Sequence, residues 1–201
     1  MEEKTGAKNY TIIVIGGLLL VLFGWFIMSY NTLVNKEEEI KSAWAQVESN
    51  IQRKVDLLPN LVTVVKRYAK HEEDVYTKIT ALRSDALKLL QTSQGNVDKQ
   101  KIQKLQQIQQ ALNHSMLKLF AVAENYPQLR SSEAFLQLQS QIEGAENRIN
   151  ITRMQFNEKV KEFNSYLRTI PANIVASIAG FMPKAYFKAN NEAHKKFTVE
   201  M

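Results

Sequence analysis

The stretch Ile40–Tyr68, IKSAWAQVESNIQRKVDLLPNLVTVVKRY, decides the fold. Its apolar residues Ile40, Trp44, Val47, Ile51, Val55, Leu58, Leu61, Val65 and Tyr68 recur in steps of three and four. A helix gathers such positions into one stripe, whereas a strand would scatter them over both faces. Pro59 sits inside the stripe without shifting its phase, so it predicts a kink or a local restart rather than a chain reversal.

Downstream the same period continues. Val75, Ile79, Leu82, Ala86 and Leu89 form a second stripe, closed by Gln94-Gly95-Asn96, a composition suited to a helix C-terminus. A third runs Ile102, Leu105, Ile108, Leu112, Met116, Leu119 and Val122 and stops at Asn125-Tyr126-Pro127. Ser131-Ser132-Glu133 offers an N-cap for a fourth and longest stripe: Phe135, Leu138, Ile142, Ala145, Ile149, Thr152, Phe156, Val160, Phe163 and Leu167. Thr169-Ile170-Pro171 interrupts it. No stretch alternates with period two for long enough to propose a sheet, and the chain holds only seven glycines and four prolines. The fold class is all-α. A break at Lys70-His71-Glu72-Glu73 gives four helices packed as an elongated antiparallel bundle with short loops. An unbroken helix from Asn31 to Leu90 would instead be roughly 90 Å long. Helices of that length are rare in small domains, which favours four.

Upstream, no residue from Ile12 to Tyr30 is charged. These nineteen residues, at about 1.5 Å each, nearly match a hydrocarbon core roughly 30 Å thick. Twelve of the positions from Ile12 to Ile27 are Ile, Leu, Val or Phe, which together favour insertion by about 4–7 kcal/mol, less something for Gly16, Gly17 and Gly24. Ile12, Ile13, Leu18, Leu22, Trp25 and Ile27 are the expected membrane-spanning residues, with Tyr10, Trp25 and Tyr30 toward the interfaces. A cleaved signal peptide is the competing reading; the run is longer than a signal core and no A-x-A-like site follows it. Gly17 and Gly24 also suit a small-residue helix contact, although glycine is common in membrane helices anyway. Lys4 and Lys8 on one side balance Lys36 and Lys41 on the other, so flanking charge does not orient the helix. The expected organisation is a short tail (1–9), an anchor (10–30), a helical bundle (31–169) and an amphipathic, basic C-terminal segment (170–201).

Residues suited to chemistry are few. There is no cysteine, and the net charge of +6 comes from interspersed lysines and glutamates. His71, His114 and His194 are far apart. His71-Glu72 opens a zinc-protease motif, but Val75 stands where its second histidine belongs. No glycine loop of the phosphate-binding type follows the anchor, and no basic reading helix points to nucleic acid. Asn113-His114-Ser115 and Asn150-Ile151-Thr152 fit a glycosylation sequon but fall inside predicted helices. No cofactor, metal or catalytic residue is expected.

Two polar sets stand out. Arg53, Asp56 and Asn60 share one face of the first helix; Glu146, Asn150, Arg153 and Asn157 share one of the last. If those helices pack, the sets can form an interhelical hydrogen-bond network. The plainer reading is a row of solvated positions flanking the core, and a third is a contact between subunits. The segment Ile170–Met182 carries Ile170, Ile174, Val175, Ile178, Phe181 and Met182, too short a run to span a bilayer. Pro171 suits the first turn of a short helix there. Lys184, Lys188, Lys195 and Lys196 follow, interleaved with Tyr186, Phe187 and Phe197. Ile174, Ile178, Phe181, Lys184, Phe187 and Lys188 are therefore candidates for a membrane or assembly contact. Capping of the bundle's end is the ordinary alternative.

These residues together resemble the LemA family of bacterial membrane proteins. The resemblance begins with Tyr30-Asn31-Leu33-Val34 and continues through Trp44, Gln46-Val47, Arg53 and Asp56-Leu57-Leu58-Pro59-Asn60-Leu61-Val62 to Tyr68-Ala69 with His71-Glu72. Ala123-Glu124-Asn125-Tyr126-Pro127, Leu129, Phe135, Leu138-Gln139, Glu146-Asn147-Arg148-Ile149, Arg153, Phe156-Asn157, Val160 and Phe163-Asn164 extend it, and Pro171, Gly180-Phe181 and Tyr186-Phe187 close it. Phe156 and Phe163 stand where tyrosine is usual, and the tail after Phe187 is basic. The resemblance implies a four-helix bundle on an N-terminal anchor in the bacterial cell membrane, single-pass, with no established enzymatic activity. Some relatives are linked to membrane shaping in magnetosome formation; others are encoded beside membrane proteases or stress functions. Two expectations follow. One is a non-enzymatic scaffold that self-associates and organises or shapes the membrane, its partners the lipid bilayer and its own copies. The other is an adaptor for a membrane protease or envelope-stress system, which needs a membrane-protein partner.

Overall fold

The structure, a computed structural model, describes residues 3–92 and 97–188, with side chains from Ile12 onward. The stop expected at Gln94-Gly95-Asn96, and His194, Lys195, Lys196 and Phe197, lie outside the described residues. Those described form six helices and no strand: α1 (Glu3–Lys66), α2 (Glu73–Gln91), α3 (Lys99–Glu124), α4 (Pro127–Arg130), α5 (Glu133–Tyr166) and α6 (Ala172–Ala179).

The apolar segment and the first stripe belong to one helix, α1, which neither stops at Asn31 nor breaks at Pro59. A proline at 59 has no N–H to give the carbonyl four residues back, at Val55. That carbonyl instead accepts from Arg83 Nε of α2 at 3.1 Å, so the defect is repaired from a neighbouring helix. The chain then leaves helical geometry at residues 67–72, through short bonds such as Tyr68 N–H to Val65 O at 3.0 Å. The one-helix alternative reaching Leu90 is thereby excluded. Tyr68, expected in the stripe, is exposed, because the helix that would have turned it inward has ended. Tyr76 donates its hydroxyl to Ala69 O, tying the connection to α2. Glu73 and Asp74 in the first turn of α2 suit the positive end of its dipole.

Asp98 caps α3 by accepting from Gln100 N–H at 3.3 Å. Pro127 opens the single turn of α4. α6 ends at Gly180, whose φ of 76° only glycine adopts without strain, and Phe181 N–H closes back on Ala176 O at 3.0 Å.

The described residues fall into two compact units. One comprises the chain up to Glu39 with Lys161–Pro183. The other comprises Ile40–Val160 with the described residues from Lys184 onward. The second holds the larger core, built from the predicted stripes: Ile40, Trp44, Val47, Ile51, Val55, Leu58, Leu61 and Val65 of α1, Ile102 to Leu119 of α3, and Phe135, Ile142, Ala145, Ile149, Phe156 and Val160 of α5 are buried. Trp44 meets Phe156 edge-on at 5.5 Å and Lys54 meets Glu146, so α1 and α5 run antiparallel here. Glu48–Lys101 and Lys54–Asn113 set α1 and α3 parallel.

Candidate functional site

In the first unit, the segment expected to span the membrane is bare. Ile12, Ile13, Leu18, Leu22 and Ile27 are exposed and Trp25 is half-buried. A Cβ added at Gly16, Gly17 or Gly24 would meet nothing, so no protein covers these glycines. α1 is the one helix among the described residues long and apolar enough to cross a membrane. Cover begins at Ser29 and Leu33, both buried. Tyr30 meets Phe181 edge-on, centroids 5.9 Å apart, and Phe181 also meets Phe163 at 6.3 Å. Lys36 Nζ lies 3.4 Å from Glu162 Oε2 in a half-buried pair. α6 buries Ala172, Val175 and Ala176 and leaves Ile174 and Ile178 exposed.

The insertion arithmetic gives a first prediction. Each arginine at the centre of the span opposes insertion by about 2.5–3.5 kcal/mol. Leu18→Arg alone should stay with membranes through alkaline extraction. Leu18→Arg with Leu22→Arg should cancel the favourable total and shift the chain out of the membrane fraction.

The second unit contains a charged group inside its core. Lys54 is 0% exposed. Its Nζ donates to Glu146 Oε2 and Asn113 Oδ1, each at 2.5 Å, and to Gln109 Oε1 at 3.3 Å; Asn113 Nδ2 donates to Glu146 Oε1 at 3.0 Å. Three helices thus converge on one ammonium. Burial lowers the Lys54 pKa, and Glu146 opposes the shift through its charge and hydrogen bond. Burial also pushes the Glu146 carboxyl up, but the charge and hydrogen bond of Lys54, the Asn113 amide and the charge of Arg153 outweigh it, holding that carboxyl below the ordinary carboxylate value. Glu146 is therefore ionised at neutral pH and supplies the counter-charge that lets Lys54 remain inside.

The polar face predicted on α1 lies elsewhere. Arg53, Asp56 and Asn60 are exposed, and Asp56 accepts from Gln52 at 3.0 Å and faces Arg83 at 3.9 Å rather than α5. Asn150 is exposed as well. Lys54, one residue round the helix from Arg53, reaches α5 instead. The signal was present: Val47, Ile51, Lys54, Leu58, Leu61 and Val65 also follow steps of three and four, but Val55 fits the stripe beside Lys54 and hides it.

Arg153 and Asn157 hold the C-terminal segment. Asn157 Nδ2 donates to Phe187 O at 3.1 Å while its Oδ1 accepts from Phe187 N–H at 2.9 Å. One side-chain amide thereby pairs with both backbone groups of one residue. Lys188 O accepts from Arg153 Nη2 at 3.1 Å and Gln106 Nε2 at 3.0 Å. The Phe187 ring stacks on Trp44 at 5.6 Å, meets Phe156 edge-on at 5.5 Å and lies under Arg153 at 4.9 Å. Phe187 is therefore a buried core residue; Lys188 is exposed and Lys184 half-buried. Of the tail residues singled out in the sequence, Phe181 and Phe187 pack inward, whereas Ile174 and Ile178 do not.

Among the described residues no group of three His, Asp or Glu side chains is placed to hold a metal. A family model described as LemA family matches residues 43–201. The chain belongs to the LemA family. The matched region takes in Lys54, Glu146, α6 and the Phe187 segment. Magnetosome protein MamQ 2 of Paramagnetospirillum magneticum is 24% identical over 196 residues, covering 89% of this chain and 72% of the relative. Magnetosome protein MamQ of Magnetospirillum gryphiswaldense is 23% identical over 188 residues, 84% and 68% of the two chains. Protein LemA of Metamycoplasma hominis is 26% identical over 191 residues, 92% and 81%. None of the three bears an enzyme's name. This LemA-family chain is accordingly a membrane-associated helical protein.

Proposed function

We propose that this chain is a single-pass scaffold of the bacterial cell membrane that self-associates through its helix faces and organises or shapes the bilayer. The observation that supports the reading is the uncovered apolar segment of α1, from Ile12 to Ile27, set against the stripes of α1 beyond Ile40, α3 and α5, which are buried in a core. Likeness to two magnetosome proteins favours the same direction. No catalytic role is assigned to any residue. The partners are lipid and further copies of the chain. Counting copies by single-molecule photobleaching of the full chain in vesicles tests it: clusters that grow with surface density, together with altered vesicle outlines, are expected. A strict monomer at high density on unchanged vesicles would refute the reading.

A second reading, an adaptor serving a membrane protease or envelope-stress system, draws on the Asn157 amide, which grips a non-helical segment by its backbone. Crosslinking in cells that recovers only copies of the chain itself rules this reading out.

A further inference from the structure

A short helix with a single apolar face needs one apolar neighbour. α6 has apolar surface on two sides. Ala172, Val175 and Ala176 are buried within the protein, yet Ile174 is 55% exposed and Ile178 69%. The apolar residues just outside the helix are exposed as well, Ile170 84% and Met182 74%. Within α6, Ile174 and Ile178 are spaced by four, the interval that keeps helical positions on one side. Asn173 and Ser177, also exposed, bound the helical part of the stripe on one edge.

The location of this stripe identifies what covers it. Phe181, immediately beyond α6, packs on Tyr30, the aromatic residue at the end of the expected span (10–30), six residues before the first charge at Lys36. Trp25 and Tyr30 lie where an apolar span passes into the headgroup region, the depth at which amphipathic aromatic rings collect. The segment after α6 therefore meets α1 at the level where α1 leaves the hydrocarbon, which brings the uncovered residues of α6 near the same depth. A short, strongly apolar helix with a narrow polar edge at that depth has the character of one lying in the plane of the interface.

We infer that Ile170, Ile174, Ile178 and Met182 are embedded in the phospholipid leaflet at the Tyr30 end of α1, at the boundary between headgroups and acyl chains. The occupant is lipid, not a second copy of the chain. The inference rests on the anchor of the proposed function and not on self-association. It also gives that function a physical cause, since a helix inserted into one leaflet enlarges that leaflet relative to the other.

The chain has no cysteine, so single-cysteine variants report cleanly, and the chosen positions are exposed enough to leave folding intact. Ile174→Cys, Ile178→Cys, Ser177→Cys and Leu22→Cys are labelled with a small environment-sensitive fluorophore. Each full-length variant is placed in vesicles of mixed zwitterionic and anionic phospholipid, at one copy per vesicle and at high density. Quenching is read with lipid brominated near the glycerol end of the acyl chain, with lipid brominated near its tip, and with aqueous iodide. Labels at 174 and 178 should be quenched several-fold more by the shallow bromolipid than by iodide at both densities, with the preference reversed at 177. Equal iodide quenching at 174, 178 and 177 overturns the inference. So does shielding from iodide that disappears at one copy per vesicle, which would make a second copy the occupant. Leu22→Cys separates the layers of the argument. If it too escapes deep bromolipid, the anchor fails and this inference falls with it. If lipid quenches 174 and 178 while copy counting finds only monomers, self-association fails and the inference stands.

Discussion

Replacing Glu146 with alanine should destabilise the chain by about 3–5 kcal/mol, because it leaves the Lys54 ammonium buried without a counter-charge. Lys54 has no exposed surface, so solvent cannot take the place of the lost carboxylate. The converse change should cost less. In Lys54→Met the stem is replaced by an apolar chain of similar reach, and the Glu146 side chain, 28% exposed, can draw on water. The order of the two losses, measured by denaturant unfolding of the full chain in detergent, is the test; equal losses would mean the pair acts as an ordinary surface salt bridge. The pH dependence follows from the same geometry. The folded-state pKa of Glu146 is lowered, so its contribution is complete above the ordinary carboxylate range and is lost as pH falls through the lowered value. Lys54 is lowered as well: the unfolded chain holds that proton more tightly, so stability rises as pH climbs from the depressed value toward the ordinary lysine value. Both groups make stability increase with pH, one at the acid end and one at the alkaline end. Glu146→Gln should flatten the acid limb.

The second large effect is expected at Trp44. Trp44→Ala removes the stack on Phe187, the edge contact with Phe156 and the ring beneath Lys101, whose Nζ lies 4.9 Å from its centroid. A loss of about 3–5 kcal/mol is typical for such a truncation. The indole Nε1–H is buried without an acceptor, so Trp44 contributes through packing rather than hydrogen bonding. Trp44→Phe should therefore retain most of the stability. Release of the Phe187 segment adds a second readout: trypsin should cleave after Lys184 or Lys188 several-fold faster in Trp44→Ala than in the parent. A proteolysis rate that does not change would show that Asn157, Arg153 and Gln106 hold the segment by its backbone alone.

What could be read from residues alone follows from the range of each force. Helical period depends on neighbours three and four apart, so the stripes through Trp44, Leu112 and Phe156 were visible, as was the uncharged run of α1. Pro59 was correctly seen not to reverse the chain, but not why the helix passes through it, since the answer sits on α2 at Arg83. The same limit hid Lys54. A lysine in a core phase looks like a solvated neighbour of Val55 until Gln109, Asn113 and Glu146 arrive from two other helices. The grip of Asn157 on Phe187 joins positions thirty residues apart, and no local pattern announces it.

The repair at Pro59 carries a mechanical implication. A helix with a missing rung is normally weakest at that rung, and here the missing support is lent by Arg83 on α2. Whatever draws α2 aside also withdraws the splint, turning Val55–Pro59 into an elbow in α1. Stiffness at that point is thus conditional, governed by a side chain that does not belong to the rod it braces.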